Sequence, residues 1–171
     1  IWRGPMVISA VKTFTTNVLW DNLDYLVVDL PPGTGDALLT FSQVIQIDGA
    51  VIISTPQEIA LLDANRGIKM FQKTNVNILG IIENMSSFTS DDGKEHFIFG
   101  ENGAETMSKN LSIELLGKIP IEIGLREGAE NGKPYVEFFN DSKTTETIIE
   151  IAKKITKKMR SKKQEQKNTT K

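Results

Sequence analysis

An apolar run that delivers one carboxylate and then breaks constrains this chain more than any other segment: Asp24-Tyr25-Leu26-Val27-Val28-Asp29-Leu30-Pro31-Pro32-Gly33-Thr34-Gly35-Asp36. Leu26, Val27 and Val28 are consecutive β-favouring residues with no polar alternation, which predicts a parallel strand over 24–30 buried on both faces. Asp29 then stands near the strand's carboxyl end, the edge at which open α/β sheets bind ligands. A carboxylate there can hold a hydrated Mg²⁺ against nucleotide phosphates. Pro31 and Pro32 fix φ and remove two N–H donors, while Gly33 and Gly35 allow backbone amides to approach a phosphate. A generic strand-Asp-Pro string is more often a plain strand ending in an Asp-capped turn, but the whole string is far more specific than that.

The rest of the chain alternates in the same style. Val7, Val11, Phe14 and Val18 are spaced for a helix over 6–19 with one face on the sheet, and 37–47 is a further helix candidate. A strand is expected over 49–54, a helix over 58–73, a strand over 78–83, a helix over 102–110, a strand over 114–119 and a last helix over 144–159. Between Phe88 and Phe97, Asp91-Asp92-Gly93 marks a hairpin turn. Strands alternating with helices predict an α/β fold with a mostly parallel sheet flanked by helices. At 171 residues the chain builds one core, taken as 1–159, followed by a disordered basic tail over 160–171.

Charge is unevenly placed. From Lys153 onward nine basic residues face only Glu165, so this end carries +8 and the 152 residues before it carry −10. A lysine-rich terminus after a helix is more often a solvated end than a binding element, and no specific nucleic-acid partner is expected. No apolar run approaches the roughly 18 residues of a membrane span, which makes a soluble, cytoplasmic protein the expectation. The chain has no cysteine, which excludes disulfides and cysteine-based zinc sites.

The string over 24–36 resembles the Walker B and switch II segment of the Mrp (ApbC) family, P-loop ATPases that carry iron–sulfur clusters. Five further stretches extend the resemblance in order: Trp2-Arg3-Gly4-Pro5-Met6, Ser54-Thr55-Pro56-Gln57-Glu58, Glu83-Asn84-Met85-Ser86, Phe99-Gly100-Glu101-Asn102-Gly103-Ala104 and Leu116-Gly117-Lys118-Ile119-Pro120. Gly132-Lys133-Pro134 follows. The resemblance covers about residues 1–155 and implies a MinD-like P-loop NTPase with a deviant Walker A loop, homodimerisation, Mg-ATP as cofactor, and iron–sulfur apo-proteins as clients.

On the matching positions, the resemblance implies that Asp29 holds Mg²⁺ through water, that the Gly33 amide follows the γ-phosphate, and that Asn84 contacts the adenine edge. Pro120 and the backbone after it would border the base. Asp36, Gln57 and Glu58 read first as helix caps. Arg3 reads equally as a phosphate or dimer contact and as a structural salt bridge. The lone His96 is seldom enough for a metal, and Trp2 and Trp20 read as core or interface aromatics.

Two departures qualify what is implied. The pattern G-x-x-x-x-G-K-[ST] is absent: Gly93-Lys94, Gly117-Lys118 and Gly132-Lys133 run on into Glu95, Ile119 and Pro134. The chain is therefore expected to be the C-terminal part of a longer protein, incomplete at its N-terminus and inactive as an ATPase alone. The family's CxxC after the ENMS motif is replaced by a loop containing Ser90, Asp91 and Asp92, whose hard oxygens are poor substitutes for thiolates. The expected function is an ATP-dependent carrier in iron–sulfur cluster assembly or transfer. A catalytically silent scaffold and a MinD/ParA-like positioning ATPase stand beside it.

Overall fold

The computed structural model describes residues 4–30, 42 and 45–169. Helix α1 spans Gly4–Thr16, strand β1 Ala50–Ser54, helix α2 Glu58–Lys73 and strand β2 Ile78–Asn84. A small hairpin follows, β3 (Phe88–Thr89) and β4 (Glu95–His96), then helix α3 (Gly103–Leu111) and strand β5 (Leu115–Ile119). Helices α4 (Ile123–Glu130), α5 (Tyr135–Phe138) and α6 (Lys143–Thr169) complete the described chain. The main sheet has the order β1-β2-β5 with both pairings parallel, as the alternation of elements predicts. No described helix is long and apolar enough to cross a membrane.

Strand β2 is central, and its sequence shows why: Leu79 through Glu83 are all buried, which a strand covered on both faces requires. One face packs Ala50, Ile52 and Ile81 against Ile68 and Phe71 of α2 and Ala104 of α3. The opposite face packs Ile82 and Leu116 under Ile151 of α6. Two glycines set how closely these layers approach. A Cβ on Gly80 would lie 2.5 Å from Leu116 Cγ and 2.7 Å from the Glu114 carbonyl, and one on Gly117 would lie 2.7 Å from Ile151 Cδ1.

Three expectations are corrected. The segment 24–30 is not a strand: Val27 is 91% exposed, and Tyr25, Leu26 and Val28 are also exposed. An apolar run becomes a strand only where a neighbouring strand accepts its backbone hydrogen bonds, and among the described residues β1 pairs only with β2. Asp24 and Tyr25 instead line a shallow cavity with Met159 and Arg160 of α6. Helix α1 ends at Thr16, short of the expected end at 19, and Phe14, expected on its inward face, is 61% exposed. Of the two places expected for Trp20, core or interface, the core is ruled out: it is half-exposed and donates its indole N–H to the Phe14 carbonyl at 2.8 Å.

The C-terminal helix runs ten residues beyond the expected end at Met159. The stretch after Met159, where a disordered tail is expected, holds neither glycine nor proline and carries four Lys, two Gln, one Arg and one Glu, all good helix formers. Nearer the body, Ile151 is inward as predicted, whereas Ala152 is exposed. Lys154 fastens the helix by donating to the Leu116 carbonyl at 2.8 Å, and Lys158 pairs with Glu114 at 2.8 Å. The expected helix over 37–47 lies mostly outside the described residues.

Candidate functional site at the carboxyl edge of the sheet

Strands β2 and β5 run in parallel and end together, with Asn84 in register with Ile119. The chains stay joined past the ladder: the Ser86 amide donates to the Ile119 carbonyl at 3.0 Å, and the Ile121 amide donates to the Ser87 carbonyl at 2.7 Å. This weave brings two of the sequence-predicted residues, Asn84 and Pro120, to one place on the sheet edge. Met85 takes a left-handed backbone (φ 54°), which turns the chain sharply after Asn84. Its amide donates to Asn84 Oδ1 at 3.0 Å. That bond orients the side chain, leaving the two Nδ2 hydrogens as donors for an acceptor at the edge.

Behind this edge lies a charged cluster that the sequence reading did not assign. Glu83 is 1% exposed, and its Oε2 accepts the Ala104 amide at 2.7 Å. A carboxylate at the first turn of α3 satisfies an amide with no partner inside the helix and complements the helix dipole. Lys118, in register with Glu83, lies with its Nζ 3.9 Å from Glu83 Oε1. It donates to Glu105 Oε2 at 2.7 Å and to Asn102 Oδ1. Glu105 also takes Lys109 at 2.8 Å. Lys109 first, then Lys118, hold the Glu105 carboxyl down at about 2.

A signal for this cluster was present in the chain. Glu83 interrupts the apolar run Ile81-Ile82, and Lys118 follows Leu116-Gly117 in the neighbouring strand. Opposite charges carried into two adjacent buried strands must find partners, and each other is the nearest choice.

The loop after β1 completes the edge. Pro56 is buried, and its carbonyl presses on Gly103, where a Cβ would overlap it and approach Leu61 Cδ1 to 2.8 Å. The Ser54-to-Glu58 and Phe99-to-Ala104 stretches, separate in sequence, therefore pack on one another. Gln57 occupies the cap position of α2 but makes no side-chain capping bond, contrary to the expected role; its extended backbone leaves the amide side chain unused there.

Asp29 is exposed, one residue before Leu30, which packs on the β1–α2 core cluster. Gly33, Asp36, Arg3 and Trp2 lie outside the described residues. The hairpin forms as predicted, with Phe88 opposite His96 and the Gly93 amide closing on the Ser90 carbonyl at 2.8 Å. At its tip Ser90 Oγ donates to Asp92 Oδ1 at 2.5 Å and lies 3.1 Å from His96 Nε2. Lys94 first, then Ser90, hold the Asp92 carboxyl below the usual range. Among the described residues no three His, Asp or Glu side chains gather as a metal site.

Comparison with known proteins gives a consistent result. The family model described as "ParA: NUBPL iron-transfer P-loop NTPase" matches residues 1–156. An iron–sulfur cluster carrier protein of Synechocystis is 50% identical over 161 residues, 93% of this chain and 46% of that protein. The iron–sulfur cluster transfer protein NUBPL of Mus musculus is 44% identical over 162 residues, 94% of this chain and 51% of its own. The chain thus spans about half the length of the curated relatives it matches. Among solved structures, a nucleotide-binding protein of Archaeoglobus fulgidus in complex with ADP superposes with a TM-score of 0.67 at 38% identity, covering 76% of this chain and 54% of that one. The cell-division ATPase MinD of Pyrococcus furiosus shares the fold, with a TM-score of 0.64 at 23% identity over 91% of this chain and 59% of its own.

Proposed function

This chain belongs to the ParA/NUBPL family of iron-transfer P-loop NTPases, and on that premise we propose that it supplies the base-binding edge of an ATP-switched dimeric carrier that takes part in iron–sulfur cluster assembly or transfer. The observation that carries this reading is the meeting of Asn84 and Pro120 where β2 and β5 end in register. Asn84, held by the Met85 amide, presents its Nδ2 hydrogens to the ring nitrogens of adenine and keeps a lone pair on Oδ1 for the exocyclic amine. Pro120 and the Ile121 backbone border the base.

The donor set fits Mg-ATP in part. Asp29 is a single exposed carboxylate, which suits Mg²⁺ held through water, an ion that keeps several waters and takes few protein ligands. When bound, Mg²⁺ neutralises charge on the phosphates. The Gly33 amide would follow the γ-phosphate. A lysine-bearing phosphate loop is not among these 171 residues, so they supply no lysine cradle for the phosphates. The cluster is cargo, and this chain offers it no thiolate. The Ser90, Asp92 and His96 tip has hard donors already engaged with one another. Thiolates for a cluster would come from elsewhere in the whole protein or from the client.

Isothermal titration of the full-length gene product with Mg-ATP tests the reading. Asn84→Ala is expected to weaken binding about tenfold, the scale of one lost hydrogen-bonding group, while the 171-residue chain alone shows no tight binding. Unchanged affinity in the Asn84 variant would remove the base-contact role. Anaerobic reconstitution with iron and sulfide, followed by absorption spectroscopy, tests the cargo. The lack of any cysteine favours one second reading, a scaffold that holds partners without a cluster; a full-length protein that binds neither nucleotide nor cluster would establish it.

A further inference from the structure

We propose that Lys118 is the positioning residue of the base site: without touching the nucleotide, it sets the Asn84 side chain and the Pro120 backbone relative to one another by locking the ends of β2 and β5 to helix α3. This rests on the reading of Asn84 and Pro120 as the base edge. The geometry is specific. Lys118 lies one residue before Ile119, in register with Glu83, which itself lies one residue before Asn84. Its ammonium is thus placed one step behind the site on both strands. It reaches Glu83 Oε1 at 3.9 Å, Glu105 Oε2 at 2.7 Å and Asn102 Oδ1.

Glu83 gives the arrangement its force. This carboxylate is 1% exposed and, among the described residues, accepts one hydrogen bond, from the Ala104 amide, so its charge needs a cation close by. Removing the ammonium leaves this buried carboxylate with no cation beside it among the described residues, and the strand end must shift towards water. That shift moves Asn84, the next residue. On the β5 side, Lys118 ties the strand to the start of α3 through Asn102, whose left-handed backbone begins that helix. The result is a three-way clamp of β2, β5 and α3, and the base edge is built on the two strands that leave it.

Lys118→Met and Lys118→Arg in the full-length protein test this, with affinities measured for ATP, GTP and tripolyphosphate. Lys118→Met is expected to lower the preference for ATP over GTP by about fivefold to tenfold, the range of one displaced hydrogen-bonding group. Binding of tripolyphosphate, which has no base, should stay within about twofold. Lys118→Arg, which keeps the cation, should restore most of the preference. Glu105→Gln weakens the anchor without removing the ammonium and should give an intermediate loss; it carries the test if Lys118→Met fails to fold. An ATP preference unchanged in Lys118→Met, or unchanged in Glu105→Gln where only that variant folds, would overturn the proposal. Equal loss of ATP and tripolyphosphate would also overturn it, because that pattern marks general destabilisation. If the wild type itself does not prefer ATP, or Asn84→Ala keeps the preference, the underlying base-edge reading fails instead.

Discussion

Two apolar runs of similar composition meet opposite fates in this protein. Ile78, Leu79, Gly80, Ile81 and Ile82 form the central strand, with Ile81 wholly buried. Leu26, Val27 and Val28 form no strand and stay exposed, Val27 at 91%. Hydrophobicity and β-propensity are alike in the two; the ladder is not. The first run has β1 on one side and β5 on the other, while the second has no strand partner among the described residues. Burial of an apolar run is therefore a property of its neighbours as much as of itself.

The comparison is broken most directly by truncating one residue in each run. Ile81→Ala should cost about 2–5 kcal/mol in chemical denaturation, from lost burial plus the cavity left behind. Val27→Ala should stay within about 0.5 kcal/mol. A Val27 cost close to that of Ile81 would mean that the 24–30 segment is buried in solution.

A smaller effect sharpens what the central strand owes to its polar end. Glu83→Ala leaves the Ala104 amide without its acceptor and Lys118 without one of its anions, at a cost of about 1–3 kcal/mol by the same measurement. No stability change would mean that water replaces the carboxylate there.

The smallest effect is a pH dependence. The Glu105 carboxyl is lowered from 4.5 to about 2 by Lys109 and Lys118. A lowered folded value means that the contribution is complete above pH 4.5 and is lost as the pH falls towards 2. The wild-type melting temperature should accordingly fall further across that window than that of Glu105→Gln. Parallel curves would show that the pairing is screened away.

The candidate site was legible in the same uneven manner. Asn84 and Pro120 could each be assigned to a strand end from an apolar run followed by a polar or breaking residue, and the structure puts those ends side by side. Glu83 and Lys118 passed as ordinary members of their motifs, because their meaning depends on a parallel register that no local pattern states. Gln57 looked like a cap by position, yet residue type at a helix start does not ensure that the side chain turns back onto the helix.

By itself the sequence determined the family, the α/β class, the hairpin at Asp91-Asp92-Gly93 and most element boundaries. These follow from local chemistry: which residues favour strand or helix, and where glycine and proline end them. Only the tertiary structure decided that Glu83 caps α3 across 21 residues of chain, that Lys118 stands behind the edge, and that the opening apolar run lies outside the described sheet. Each is a pairing between distant segments, and a pairing exists only once the partner's backbone or charge is brought within a few ångströms.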